Sequence, residues 1–376
     1  MRRLTGIAAA AALLAGPGVA RADGASFPGG NELSDELGVA SSPPTPGSQR
    51  ATQVANSLDA LLDLGRGLNL DLGVDAVRLT PTGAAPGAPP TRGATIWTFT
   101  AGLIGEFGEH LTLDASVHAS PAADLTTDFT ADYRYLAGGT VRTDQVEAAL
   151  VSRSSSAGAL LAATWDTAGD SDAETAVDLG VGLEHFSSEQ RLEAPRDRQT
   201  GATVTLDELV NSCRLFPGRC PRALVGALLL SRRAAPVLLN QVALRAGAVE
   251  TLWRDTDLGL SGSWYLYDRD PTEAGYFGLA AAGRTGTGGA IPIAPLLWSV
   301  RPSATRRLGA WTLRLELQHG VYASSEGRLD ALAAKVQLRF TRAFRMWVTA
   351  GGQRDVDFAG TVTTVRSASL GALLQW

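Results

Sequence analysis

The chain has 376 residues, of which 45% are hydrophobic and 19% charged, and its net charge is −5. The charged share is below the roughly 25% of soluble domains. Yet no window after residue 22 supplies the ~18 apolar residues of a membrane-spanning helix. With no basic block, the composition argues against a nucleic-acid binder; arginine carries the positive charge, and Lys335 is the only lysine.

The N-terminus reads as a secretory signal peptide over 1–22. Met1-Arg2-Arg3 is the basic region, Leu4 to Gly16 the apolar region, and Ala20-Arg21-Ala22 the small-x-small cleavage pattern. Residues 23–66, rich in Gly, Pro, Ser and acidic side chains, read as a flexible lead-in, with one short amphipathic helix over 54–64.

From Gly67 the texture changes to period two. Leu68, Leu70, Leu72, Val74 and Ala76 alternate with Asn69, Asp71, Gly73 and Asp75. The same alternation recurs in about fifteen segments as far as Ala368, Leu370, Ala372, Leu374 and Trp376. They lie near 68–77, 95–107, 111–119, 127–138, 142–153, 157–166, 174–186, 236–252, 256–268, 273–283, 294–305, 311–323, 330–341, 345–354 and 363–376. Many are 9 to 13 residues long, which suits a tilted transmembrane strand of about 9–11 residues better than a globular strand of about 5–6. Tight connectors such as 108–110, 306–309 and 341–343 alternate with longer polar ones such as 81–93, 323–328 and 355–360.

The longest connector, 187–235, holds both cysteines. Cys213 and Cys220, with Pro217-Gly218 between them, suit one small disulfide loop in an exported chain, and 206–215 and 221–230 suit two short helices.

These features predict an all-β fold, a transmembrane antiparallel up-and-down β-barrel over 67–376. Closure in lipid requires an even strand number, so the expectation is 14 or 16, with sixteen favoured and the extra strand placed within 187–235. The apolar face meets lipid. The polar face lines the lumen, with Asp71, Asp75, Asp114, Arg134, Arg314, Glu316, Lys335 and Arg339 as candidate lining residues. Trp97, Trp253, Trp298, Trp311, Trp347 and Trp376 fall near strand ends, as an interfacial girdle would have them.

The last strand, with Leu370, Ala372, Leu374 and a terminal Trp376 at alternate positions, resembles the C-terminal signature of Gram-negative outer-membrane β-barrels, in which Phe is the more usual final residue. The resemblance names a superfamily and no single family. It implies an outer-membrane location, a periplasmic lead-in, an extracellular 187–235 loop, and partners in lipid and the barrel-assembly machinery, which reads the signature.

Chemistry is sparse. His118-Ala119-Ser120 puts a His and a Ser on one strand face, as Ser activation requires and as outer-membrane lipid hydrolases do. Pro121 and Ala122 follow, where an orienting Asn would be needed, so lumen lining is the better reading. The acidic run 166–172 lacks the closing Glu of a calcium loop, and the Gly-rich 284–289 lacks the Lys of a phosphate loop. The expectation is therefore no metal, no cofactor and no enzyme. The leading function is a passive pore for small solutes. The second is a non-conducting structural, adhesion or partner-binding surface barrel, and the third a lipid hydrolase.

Overall fold

A computed structural model describes residues 30–42, 50–82, 91–92, 94–167, 175–216, 220, 224, 228, 236–253, 255–271, 295–323, 327–356 and 362–376. In chain order the strands are β1 (Glu32–Ser42), β2 (Arg50–Gly65), β3 (Leu68–Thr82), the two-residue β4 (Thr91–Arg92), β5 (Ala94–Phe107), β6 (Leu111–Ala137), β7 (Thr140–Asp166) and β8 (Thr175–Asp197). After helix α1 (Leu206–Leu215) come β9 (Val237–Trp253), β10 (Thr256–Tyr267), β11 (Leu296–Leu308), β12 (Trp311–Tyr322), β13 (Arg328–Arg339), β14 (Phe344–Val356) and β15 (Val362–Gln375).

Apart from β4, which only pairs with Thr126 and Thr127 of β6, each strand pairs antiparallel with its sequence neighbours, and β1 pairs with β15. The result is a closed barrel of fourteen strands. Its seam is fixed by the Asn31–Trp376 backbone pair, with each N–H donating to the other's carbonyl at 3.0 Å. Closure leaves no unpaired strand edge around the girth, the condition lipid imposes on a backbone. The start of β1 and Trp376 lie at one end with most of the short turns; the 198–236 connection lies at the other, as does the two-residue turn at Gly138-Gly139. Among the described helices, none is long and apolar enough to cross a membrane.

Of the fourteen or sixteen strands expected, the barrel has fourteen. Two pairs of expected segments are single strands, because the Ser120-Pro121-Ala122-Ala123 stretch is a bulge within β6 and the Ser152–Ser156 stretch is continuous β7. A bulge is one of the few places a sheet accepts proline. The expected strand at 273–283 lies outside the described residues, as do the signal peptide and most of the second expected helix, 221–230.

Two strands were not expected at all. The stretch read as a flexible lead-in contains β1 and β2, and the helix expected at 54–64 is strand. The reason is the hairpin that follows. Arg66 and Gly67 both have positive φ, 58° and 74°, the primed geometry whose twist matches paired strands. Val54, Leu58 and Leu62 suit a helix face as well as one strand face, so pairing with β3 decides the outcome.

Around the outside runs an apolar belt, with Phe107, Trp165, Trp311, Phe340 and Trp376 exposed at its lower edge and Trp97 and Trp264 at its upper edge. From Trp97 to Phe107 on β5, ten residues at about 3.3 Å each and a tilt near 40° give a height of about 25 Å, the thickness of an outer-membrane apolar band. Trp347 departs from the expected girdle: it is 7% exposed and points into the barrel.

One polar pair on the outward face lies between β1 and β2. Asp35 on β1 accepts a 2.6 Å hydrogen bond from Asn56 Nδ2 on β2, and the same amide approaches the Glu36 carbonyl at 3.4 Å. Asn56→Leu strands a carboxyl group in hydrocarbon and is expected to destabilise the barrel by about 1–3 kcal/mol. Replacing both residues by Leu removes the polar demand and should be neutral or stabilising. Urea unfolding in lipid vesicles reads both. A single variant no less stable than the double would contradict this account.

Beyond the belt, β6, β7 and β8 continue outward, β6 and β7 running 27 residues against 12 for β12 and β13. Above its short pairing with β4, the upper part of β6 has no strand on its other side among the described residues, an edge that needs cover. Helix α1 supplies it. Ser212 Oγ accepts from the Arg134 backbone N–H at 2.8 Å, and Leu209, Leu224 and Leu228 pack with Ala131, Tyr133, Val146 and Leu192. The helix has the expected bounds because Thr205 and Glu208 form a reciprocal capping box. Cys213 and Cys220 are joined in a disulfide.

Candidate functional site

The inner wall carries the chemistry. Alternation sends Asp71 and Asp75 of β3, Asp114 of β6, Arg314 and Glu316 of β12, and Lys335 and Arg339 of β13 inward, opposite the exposed leucines of the same strands. Arg134 is the exception. The bulge after Ser120 inserts one residue and flips the parity of β6, so Arg134 lies on the outward extension, away from the lumen.

The charges are sorted by wall. Among the described residues, every charged side chain directed inward on the belt-level parts of β1 through β8 is acidic apart from His118; Glu36, Asp59, Asp71, Asp75, Asp114 and Glu184 are examples. The facing wall, β9 through β14, carries Arg245, Arg301, Arg307, Arg314, Lys335 and Arg339. Its three acids are engaged locally: Asp257 with Arg307, Glu316 with Arg314 at 3.1 Å, and Asp355 with Tyr322 and Gln353. The residues first read as mixed lining therefore belong to two opposed arcs. Glu36 and Asp59 were missed because they lie in the supposed lead-in. Their alternation with Leu33, Leu37 and Leu58 was the available signal.

The two arcs meet across the seam at Trp347. Its Nε1 donates to Glu36 Oε2 at 2.8 Å, and Lys335 Nζ sits 4.5 Å from the ring centroid. The ring reaches from β14 across β15 only because Gly371, its cross-strand partner, has no side chain.

The His118–Ser120 pair shares the inward face, as expected, but each side chain is engaged elsewhere. His118 Nε2 meets Glu184 Oε2 at 2.9 Å, the ring lying over Gly158, and Ser120 Oγ meets Thr98 Oγ1 at 2.7 Å. The carboxylate thus holds the ring nitrogen, tying β6 to β8 over β7.

At the outer end, Asp197 closes the turn into the long loop. It accepts from the backbone N–H groups of Thr200 and Gln199, from Thr200 Oγ1, and from the Tyr133 hydroxyl at 2.9 Å. The Thr200 backbone N–H, foremost among these donors, holds the carboxyl below its ordinary range, while burial and the facing carboxylate push Tyr133 up. A depressed carboxyl contributes stability in full above its unfolded value of about 3.9 and loses it as pH falls through the folded value. Protease resistance of the 198–216 segment is therefore expected to hold at pH 5 and fall below about pH 3.9, with Asp197→Asn showing the weakened state at every pH. Resistance in Asp197→Asn equal to the parent at pH 7 would contradict it.

No protein-family model matches the chain, and no curated protein matches it. Solved structures do. The chain is similar to the CymD monoaromatic hydrocarbon channel, with a TM-score of 0.54 at 10% identity over 93% of this chain and 89% of that one. It is also similar to a TodX monoaromatic hydrocarbon channel mutant, with a TM-score of 0.50 at 10% identity over 93% and 90%. At such identity the likeness is one of fold. That fold is the closed antiparallel β-barrel of fourteen strands, here with an exposed apolar belt.

Proposed function

We propose that the barrel is a passive, water-filled channel for small polar solutes. The observation that carries this reading is the sorted inner wall, acidic on one arc and basic on the other. A fourteen-strand barrel is too wide for its side chains alone to fill. Opposed arcs of charge across a water-filled passage orient dipolar solutes and favour those bearing both signs, whereas a lumen for hydrocarbon would not carry so many ionised groups. The solved channels of similar fold are described as carrying monoaromatic hydrocarbons; the charged wall argues for a different cargo here. Reconstitution into a planar bilayer tests the idea: stepwise current and uptake of a zwitterionic amino acid into liposomes are expected. A folded, inserted protein that passes neither would end it.

A second reading is favoured by the platform above the membrane. The β6–β8 extension, α1 and the disulfide make a braced surface suited to partner binding or adhesion. Silent conductance together with antibody labelling of an epitope inserted in 198–216 on intact cells would support it in place of the first. In either case the outward series Leu370, Ala372, Leu374 and Trp376 is the face the barrel-assembly machinery would read.

A further inference from the structure

We infer that the outer rim of β13–β15 binds the phosphate of a lipid headgroup in the leaflet at the long-loop end. The upper edge of the belt is not uniform. On β5 and β10 exposed Trp97 and Trp264 mark it, and on β11 half-buried Trp298. On β13, β14 and β15 it is marked by the exposed Arg328, Arg354 and Arg366.

Depth follows from the strands themselves. Arg354 stands ten residues above Phe344 on β14, and Arg366 ten above Trp376 on β15, so both lie about 25 Å above the lower aromatic edge, at headgroup level. They are also neighbours: Arg354 pairs with Thr364, and Arg366 is two residues further along, a diagonal of about 7–8 Å between backbones. One carboxylate is nearby. Asp330 is opposite Arg354 but is already held by His319 at 2.7 Å and Arg328 at 3.4 Å. Neither Arg354 nor Arg366 has an ionic partner among the described residues.

Two outward guanidiniums at that depth present forked donors whose geometry fits phosphate oxygens. Directly below them the lipid face is shallow, with Gly352 under Arg354 and the cross-strand row Ala334–Ala350–Ala368 beneath it. A headgroup held by the arginines would lay its acyl chain along this row. The inference needs only the membrane placement of the barrel and is independent of whether it conducts.

The test uses the full mature chain in nanodiscs of neutral phosphatidylcholine, offered bisphosphorylated lipid A or its dephosphorylated form, with bound lipid read by native mass spectrometry. Retention of the phosphorylated lipid is expected, with at least about a tenfold loss in the R354Q/R366Q double variant, a size suited to charge-assisted contacts. R354K/R366K, which keeps charge without the fork, should fall between. R153Q, at an exposed arginine paired with Asp124 on β6, should bind like the parent. Heat-modifiable gel migration confirms folding of each variant. Equal retention of the dephosphorylated lipid, or an unaffected double variant, would overturn the site. So would displacement of the lipid by millimolar inorganic phosphate, which would make it a free-anion site instead.

Discussion

Gly371→Ala is expected to destabilise the folded barrel by about 1–3 kcal/mol, although it adds a single methyl group at a position inside a strand where alanine is otherwise well tolerated. A Cβ at this position would overlap the Trp347 indole, which lies flat across β15 to reach Glu36 on β1. The ring has no easy retreat, since Lys335 stands over it. Displacing it breaks a hydrogen bond to a charged group and a cation–π contact together. The measurement is urea unfolding in vesicles, compared with Gly352→Ala on β14, where an added Cβ meets nothing closer than ordinary contact distance. Trp347→Leu in the Gly371→Ala background should recover part of the loss, because it removes the clash. If Gly371→Ala and Gly352→Ala prove equally mild, the Trp347 bridge across the seam is not a fixed feature of the barrel.

The second large effect concerns the two arcs. Neutralising Asp71, Asp75 and Asp114 to their amides should shift permeability toward anions. Neutralising Arg314, Lys335 and Arg339 to glutamine should shift it toward cations. A unit charge about 8 Å from a permeating ion in water changes its energy by roughly 0.5 kcal/mol, so three charges together amount to about a tenfold change in the permeability ratio at low salt. Reversal potentials under a salt gradient read this directly, and the shift should shrink as ionic strength rises. Identical reversal potentials in both triple variants and the parent would mean that ions do not pass between these walls.

How much of this could be read from the residues alone depends on which pattern is asked about. The alternation of β12 and β13 was plain, because leucines at every second position from Trp311 to Leu317 leave no other regular assignment. In β2 the same alternation was masked: Asn56 interrupts the outward face, and Val54, Leu58 and Leu62 fit a helix equally well. In β6, the gap between the expected segments 111–119 and 127–138 holds a bulge at Pro121, which joins them into one strand and turns Arg134 to the other face. Periodicity reports the face of a residue only relative to its own segment, and a one-residue insertion inverts everything beyond it.

The candidate site shows the same division. That Asp71, Asp114, Arg314 and Lys335 share a polar face was readable. That the acids gather on β1–β8 and the bases on β9–β14 was not, since residues far apart in sequence become opposite walls only when β1 closes on β15. His118 and Ser120 share a face at a spacing suggestive of catalysis, and only the fold shows Glu184 and Thr98 as their partners, from strands 66 and 22 residues away.

By itself the sequence determined the class of structure: long alternating segments without an apolar helix, and a final strand whose outward positions end in Trp376. Local side-chain order is sufficient for that, because a strand's two faces are set by its own residues. Only the tertiary structure decided the strand number, the inclusion of β1 and β2, the Trp347 bridge over Gly371 and the separation of charge. Each of these depends on which strand lies beside which, and that is fixed by closure of the sheet in a solvent that leaves no backbone group unpaired.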